Sequence, residues 1–129
     1  MTLSTPIATQ EQIYTAVQSV AGVVERDVPG ALIAILGAKL SAAIGGAEDP
    51  RRAIAWRDKG EACRRPRALR AALQAARAIS ASYGDEIARS WFLSTNVSLG
   101  PSSPLAFVRE ACDEADFDRL VQTSIADAS

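Results

Sequence analysis

The sequence predicts an all-α protein in which a helix-turn-helix unit near the N-terminus is followed by a small helical domain. Of the 129 residues 48% are hydrophobic, yet only 5% are aromatic and alanine is abundant, a composition typical of closely packed helices. Apolar residues recur every three or four positions, the spacing of one helix face. The length fits one compact domain, or two small helical units that share a core.

The first third of the chain carries two apolar segments. The first predicts an amphipathic helix over about residues 9–27, and Pro29-Gly30 is expected to end it. The second, residues 31–44, has a broad apolar stripe that Gly37 would divide into two shorter helices. The apolar positions of the first helix are Ile13, Val17, Val20 and Val24.

A turn and a capped helix start follow. The glycine pair at 45–46 predicts a sharp turn, and the Asp-Pro pair at 49–50 supplies an N-cap and a first-turn proline. These signals predict a short helix over about residues 50–59, which Gly60 is placed to end. Another helix boundary is expected at Pro66.

The C-terminal half begins with a long apolar pattern over residues 67–91, which predicts one helix, or two with a break near Gly84. Residues 94–103 are expected to form a structured loop, after which Ser103-Pro104 again supplies an N-cap and a first-turn proline. The next two helices would bury Leu105, Val108 and Cys112, and then Phe117, Leu120, Val121 and Ile125.

Several kinds of chemistry lack the residues they require. The chain has no histidine, which excludes catalytic histidine pairs and histidine-ligated metals. Cys63 and Cys112 form no CxxC motif, so we expect two reduced, semi-buried thiols in a cytoplasmic protein. Neither a signal peptide within residues 1–11 nor a membrane span is expected. We therefore predict a binding protein with no catalytic residue, no metal and no cofactor.

Charge is distributed unevenly although the net charge is -1. Residues 51–77 hold nine basic and two acidic side chains, a local charge of +7, whereas residues 110–127 have a local charge of -5. The basic segment is suited to holding a polyanion. The acidic side chains are expected to form a solvated helix junction, since their spacing lacks the glycine turn and terminal glutamate of a calcium-binding loop.

The helix over about residues 50–59 is the candidate recognition helix of the helix-turn-helix unit, with Ile54 and Trp56 as its inward-facing residues. In such units the second helix enters the major groove, where arginines bind guanine or phosphate. An alternative is a plain helical hairpin with a solvated basic face. Arg67 and Arg70 are further phosphate-clamp candidates. The candidate DNA-binding residues are Arg51, Arg52, Arg57, Lys59, Arg64 and Arg65.

A second group of candidate residues lies where one predicted helix ends and the next begins. It consists of Trp91-Phe92, Asn96, Leu99-Gly100 and Ser103-Pro104-Leu105. Structural packing explains most of this pattern, because aromatic, turn-forming and capping residues together would hold two helices at a fixed angle.

In the candidate helix-turn-helix unit and in the segment from Trp91 to Leu105, the sequence resembles the Xre/MbcA/ParS-type antitoxins and related actinobacterial Xre-like regulators. Residues 36–61 are similar to the helix-turn-helix of that family, and residues 67–110, above all the motif ARSWFLSTNVSLGPSSPLAFVRE, are similar to its toxin-binding domain. The resemblance implies an Xre-like helix-turn-helix unit over 29–66 and a helical toxin-binding-like domain over 67–129. The N-terminal helix, placed within a first segment over 1–28, lies outside the resemblance and is expected to serve dimerisation or a separate contact.

The resemblance also implies a function. Such proteins usually act as homodimers that repress their own operator DNA and occlude a toxin, commonly of the NAD-consuming RES class. By resemblance, Arg51, Arg52 and Arg57 lie on the recognition helix. The candidate partner-binding residues are Trp91, Asn96, Leu99 and Pro104. The alternative is a stand-alone or prophage repressor whose C-terminal domain only dimerises; a third is an interaction protein that has lost DNA affinity.

Overall fold

A computed structural model describes residues 8–129, and these residues form eight α-helices without any β-strand. The all-α prediction is therefore confirmed for this part of the chain. The helices are α1 (Gln10–Gln18), α2 (Val28–Leu36), α3 (Ala38–Ile44), α4 (Pro50–Lys59), α5 (Pro66–Tyr83), α6 (Asp85–Leu93), α7 (Pro104–Glu110) and α8 (Glu114–Ala128). Short 3₁₀ turns cover Ser19–Gly22, Glu25–Asp27 and Val97–Leu99.

Helix α5 lies at the centre of the molecule. It packs most extensively against α8, and also against α1, α2 and α6. Six alanines of α5 are buried together with Leu69, Leu73 and Ile79, and small side chains let neighbouring helices approach closely. The abundance of alanine is thus explained by one helix that touches helices from both ends of the chain. The division at residues 28 and 66 stays a prediction.

The first predicted helix is shorter than expected. It begins at a Thr9–Gln12 capping box and ends at Gln18 instead of continuing to about residue 27. The chain then turns, and the Arg70 guanidinium donates to the carbonyl oxygens of Val20 and Val23 at 2.9 and 2.8 Å. These two carbonyl oxygens accept from a side chain of α5 and not from the N–H groups of a continuing α-helix. Val24, predicted to lie on the apolar face of that longer helix, is exposed. The beginning of the predicted 1–28 segment, residues 1–7, lies outside the described residues.

Proline and glycine mark the next boundaries, one of them differently from the prediction. Pro29 lies in the first turn of α2 and does not end the preceding helix, because a first-turn proline needs no N–H partner. Gly37 and Gly84, with φ of 85° and 88°, separate α2 from α3 and α5 from α6. The predicted division at Gly37 is confirmed, and of the two alternatives left open for residues 67–91 the structure has two helices that meet at Gly84.

Both C-terminal helices begin at a side-chain cap, of which only the Ser103 cap was predicted. The Ser103 hydroxyl accepts from the Ala106 N–H at the start of α7, and Asp113 caps α8 in the same way. Cys112 is exposed, contrary to the prediction that it is buried, since α7 ends at Glu110 before reaching it. None of the helices in residues 8–129 is long and apolar enough to cross a membrane.

Candidate functional site

Helices α3 and α4 contact each other and are joined by residues 45–49. The Asp49 carboxylate caps α4 by accepting from the Arg51 N–H at 2.9 Å, and Gly60 ends it in the left-handed conformation at φ 68°. Ala53 and Trp56 form the buried face of α4, as predicted for Trp56, whereas Ile54 is exposed. A three-residue spacing keeps 53 and 56 on one face, and Ile54 lies off it.

The turn between α3 and α4 is packed tightly by two side chains. A Cβ atom at Gly45 would lie 2.4 Å from Cη2 of Trp56 and 2.9 Å from Sγ of Cys63. The Cys63 thiol also donates to the Gly45 carbonyl oxygen at 3.6 Å. Burial raises the pKa of the Cys63 thiol, which keeps it protonated at neutral pH. These contacts fix α4 against the turn.

The outer surface of α4 carries four of the predicted DNA-binding residues, and two of them have acidic partners. The Arg51 guanidinium pairs with Asp49, and that hydrogen bond lowers the pKa of the carboxyl. The Arg57 guanidinium pairs with Asp58 at 2.7 Å and lowers its pKa likewise. Arg52 and Lys59 are exposed and have no side-chain hydrogen bond or ion pair within residues 8–129.

The remaining two predicted DNA-binding residues differ sharply although they are adjacent. Arg64 is exposed, and its side chain has no hydrogen bond or ion pair to any described residue. The Arg65 guanidinium is half-buried and donates to three carbonyl oxygens: Ile44 at 3.1 Å, Val108 at 2.9 Å and Ala111 at 2.6 Å. Arg65 therefore joins α3 to α7, and we leave it out of the proposed DNA-contacting set.

Three other arginines of the basic segment also bond to distant parts of the chain. Besides Arg70, which binds the turn after α1, Arg67 pairs with Glu114 at the start of α8, and Arg77 donates to the Ser19 hydroxyl at 2.8 Å. The local charge of +7 is thus only partly available to a polyanion. The cations of this segment that are free or paired only at the surface are those of α4, Arg64 and Arg67, whose partner Glu114 is exposed.

The structure brings part of this set together in one groove. Arg52, Arg64 and Arg65 line a groove of about 500 Å³ beside the 45–49 turn, with Trp56 at its inner side and Glu48 and Asp49 along its rim. Arg51, Arg57 and Lys59 lie on α4 outside this groove. Cationic side chains therefore cover both the N-terminal end of α4 and the neighbouring loop.

Two of the four predicted partner-binding residues, Trp91 and Asn96, line a second recess between α6, the following loop and α8, whereas Leu99 and Pro104 do not line it. The Asp127 carboxylate accepts from Trp91 Nε1 and from Asn96 Nδ2, both at 2.9 Å. Leu99 and Pro104 are buried beneath the loop. The recess has a volume of about 430 Å³, and Val97 at its edge is 91% exposed.

The sequence analysis missed Asp127, the residue that links Trp91 to Asn96 in this recess. Asp127 was counted only as part of the acidic C-terminal segment, and it lies 31 residues beyond Asn96 in the chain. Arg119 was missed too: its guanidinium donates to the Ser98 carbonyl at 2.8 Å and lies over the Phe107 ring. A buried tryptophan N–H needs an acceptor, but the sequence does not indicate which of many carboxylates supplies it.

Comparison of this chain with protein-family models, with curated proteins and with solved structures gives no match. Among residues 8–129, no three cysteine, aspartate or glutamate side chains are grouped so as to hold a metal ion. The α4 surface and the recess beside Asp127 are therefore the two candidate binding sites.

Proposed function

We propose that this protein is a DNA-binding regulator in which α3 and α4 act as a helix-turn-helix unit and α4 enters the major groove. The observation that carries the proposal is the exposed set of cations on and beside α4, namely Arg51, Arg52, Lys59 and Arg64. The opposite face of this helix is anchored by Trp56, so its outer face is presented on a rigid support. Rigid presentation favours recognition of one defined groove.

Double-stranded DNA fits this surface electrostatically. Each cation that contacts a phosphate releases condensed counterions, which makes affinity fall steeply with salt. Arg52, Lys59 and Arg64 are not engaged by other described side chains, and Arg51 has only an exposed carboxylate as its partner, which a phosphate can replace at small cost. Arg57 contributes less, because Asp58 on the same surface offsets its charge.

The decisive variant is Arg51→Ala/Arg52→Ala. We expect the native protein to bind DNA from its own upstream region at 50 mM salt and to bind more weakly at 200 mM salt. Loss of two phosphate-contacting cations should reduce the slope of log affinity against log salt by about 2 and weaken binding about tenfold or more. Fluorescence anisotropy with a labelled duplex measures both quantities.

The matched control is Arg89→Ala/Arg109→Ala, which removes the same charge from exposed positions on α6 and α7. Because Arg89 also donates to the Ile35 carbonyl oxygen at 2.9 Å, circular dichroism must show that this variant is folded. Its salt slope should stay close to that of the native protein. If both double variants lose affinity equally, the affinity for DNA depends only on the net charge of the protein, and α4 is not a recognition helix. If the native protein binds at neither salt concentration, the proposal fails.

We further propose that the recess beside Asp127 contacts a protein partner, a toxin of the RES class in an antitoxin-type function. The observation favouring this is apolar exposure at the recess, where the lining residue Val97 is 91% exposed, and at Leu93, which precedes the lining residue Ser94 in the chain and is 61% exposed. Exposed apolar residues next to buried polar anchors are typical of interface centres. The alternative is a repressor whose C-terminal helices use the same surface for a homodimer.

Val97→Asp separates these two functions. For an antitoxin, we expect at least about tenfold weaker binding to a purified RES-class toxin and loss of inhibition of its NAD consumption. Val24→Asp is the control. Val24 is also exposed, at 61%, but it does not line the recess. Conversion of a dimer to a monomer by Val97→Asp, in sedimentation experiments without toxin, would support the repressor alternative.

A further inference from the structure

Asp127 is the one charged side chain among those that line the recess between α6 and α8. No ion pair joins its carboxylate to any arginine or lysine within residues 8–129. Arg119, on the same helix, donates to the Ser98 carbonyl oxygen at 2.8 Å and does not line the recess. A recess whose lining carries one sign of charge attracts ligands of the opposite charge, so this recess favours a cation.

The Asp127 carboxylate is held through one of its two oxygens. Oδ2 accepts from Trp91 Nε1 and from Asn96 Nδ2, both at 2.9 Å, whereas no donor among residues 8–129 bonds to Oδ1. In this part of the chain, Trp56 Nε1 is the one buried side-chain polar atom that has no hydrogen-bond partner. Since Oδ1 also has no partner, it is accessible at the surface, and a donor from another molecule can reach it.

The open oxygen and the apolar part of the lining together define the chemistry that fits. Carboxylates form their strongest hydrogen bonds with charged donors, the ammonium group of lysine and the guanidinium group of arginine. The donors from Trp91 and Asn96 are uncharged, so they orient the carboxylate without neutralising it. Val97 belongs to the same lining and is 91% exposed. The methylene stem of a basic side chain packs well on such an apolar surface.

From these observations we propose that the recess binds a lysine or arginine side chain of the partner protein, whose cationic group pairs with Asp127 Oδ1 and whose stem packs on Val97. This inference rests on the proposed partner-binding function of the recess and adds the chemistry of the residue that is recognised. Because Trp91 and Asn96 hold the carboxylate before the partner arrives, little ordering is required on this side of the interface.

Three small molecules test the recess without any partner protein. n-Butylguanidinium and n-butylammonium carry the two candidate cationic groups on a short apolar stem, and n-butylurea is the uncharged match of the first. The indole N–H signal of Trp91 in a ¹H–¹⁵N spectrum reports binding, and Trp91→Phe assigns it among the two tryptophans. At low salt we expect the cations to shift this signal saturably and to bind about fivefold more tightly than n-butylurea, the effect of a partly exposed ion pair.

Asp127→Asn removes the charge and keeps an acceptor oxygen for Trp91 and Asn96. In this variant, the preference for the cations over n-butylurea should fall to about one. The matched control is Asp118→Asn, which removes the same charge from an exposed position of α8 outside the recess and should leave the preference unchanged. If Asp127→Asn does not fold, the native protein decides, because its preference for the cations must decrease at high salt.

Other results overturn the proposal. Equal affinity for the cations and n-butylurea in the native protein would show that the carboxylate is not used, and equal loss of preference in both asparagine variants would show that only net charge matters. With a purified RES-class toxin, Asp127→Asn should weaken binding about fivefold. Unchanged toxin affinity in Asp127→Asn, with weaker binding by Val97→Asp, would overturn this inference and leave the proposed partner site intact. Unchanged affinity in both variants would overturn the two together.

Discussion

Gly45→Ala is expected to lower the free energy of unfolding by about 3 kcal/mol, the upper range for an overpacked core. The added Cβ would lie 2.4 and 2.7 Å from two ring atoms of Trp56 and 2.9 Å from the Cys63 sulfur. The backbone itself is not the obstacle, since Gly45 has φ -76°. Destabilisation must come from displacing the indole ring, which is only 3% exposed and lies in contact distance of Gly45.

Urea unfolding followed by circular dichroism measures this effect, with Gly22→Ala as the control. Gly22 also lies in a turn without positive φ, and nothing lies within 4 Å of its added Cβ, so its unfolding free energy should change by no more than about 0.5 kcal/mol. Combining Gly45→Ala with Trp56→Leu should cost less than the sum of the single changes. Equal effects of the two alanine substitutions would refute the tight turn.

The contact between Gly45 and Trp56 also affects the proposed DNA-binding surface. The same contact holds Trp56 and therefore sets the position of α4 relative to α3. The glycine pair at 45–46 was predicted to form a turn, but the sequence contains no indication that the indole ring of Trp56 requires the missing Cβ. That requirement appears only when residues 11 positions apart are brought together.

Helix starts were the most predictable part of this fold, since their signals are local. Asp49-Pro50 and Ser103-Pro104 each place a side-chain acceptor one residue before a proline, and both begin helices where expected. Gly84 was less informative, because glycine also occurs inside helices and only the structure shows that this residue ends α5 at φ 88°. Pro29 was misread because the same residue type is typical of both helix starts and helix ends.

The use of the arginines could not be predicted, since a basic segment looks the same whether its cations are solvated or bonded to carbonyl oxygens. Arg65 and Arg70 bind carbonyls between 21 and 50 positions away in the sequence. The acceptor shared by Trp91 and Asn96 could not be predicted for a similar reason. It is the Asp127 carboxylate on α8, a helix that comes close to them only through tertiary packing.

Arg65→Met is expected to lower the free energy of unfolding by about 3 kcal/mol, the value for losing several charge-assisted hydrogen bonds from partly buried carbonyls. Methionine keeps much of the aliphatic stem that packs on Gly46 and removes only the guanidinium. Thermal and urea unfolding measure the change. The loss should separate α3 from α7 first, which amide hydrogen exchange of the α7 residues would detect.

Arg64→Met is the natural control, because it removes the same charge from the adjacent residue without removing any described hydrogen bond. Its stability should stay within about 0.5 kcal/mol of the native protein, while its DNA affinity should fall and its salt slope decrease by about 1. Arg65→Met, measured where it remains folded, should leave the salt slope unchanged. The reverse pattern, with Arg65 controlling salt dependence and Arg64 controlling stability, would require exchanging the two roles that the carbonyl contacts assign.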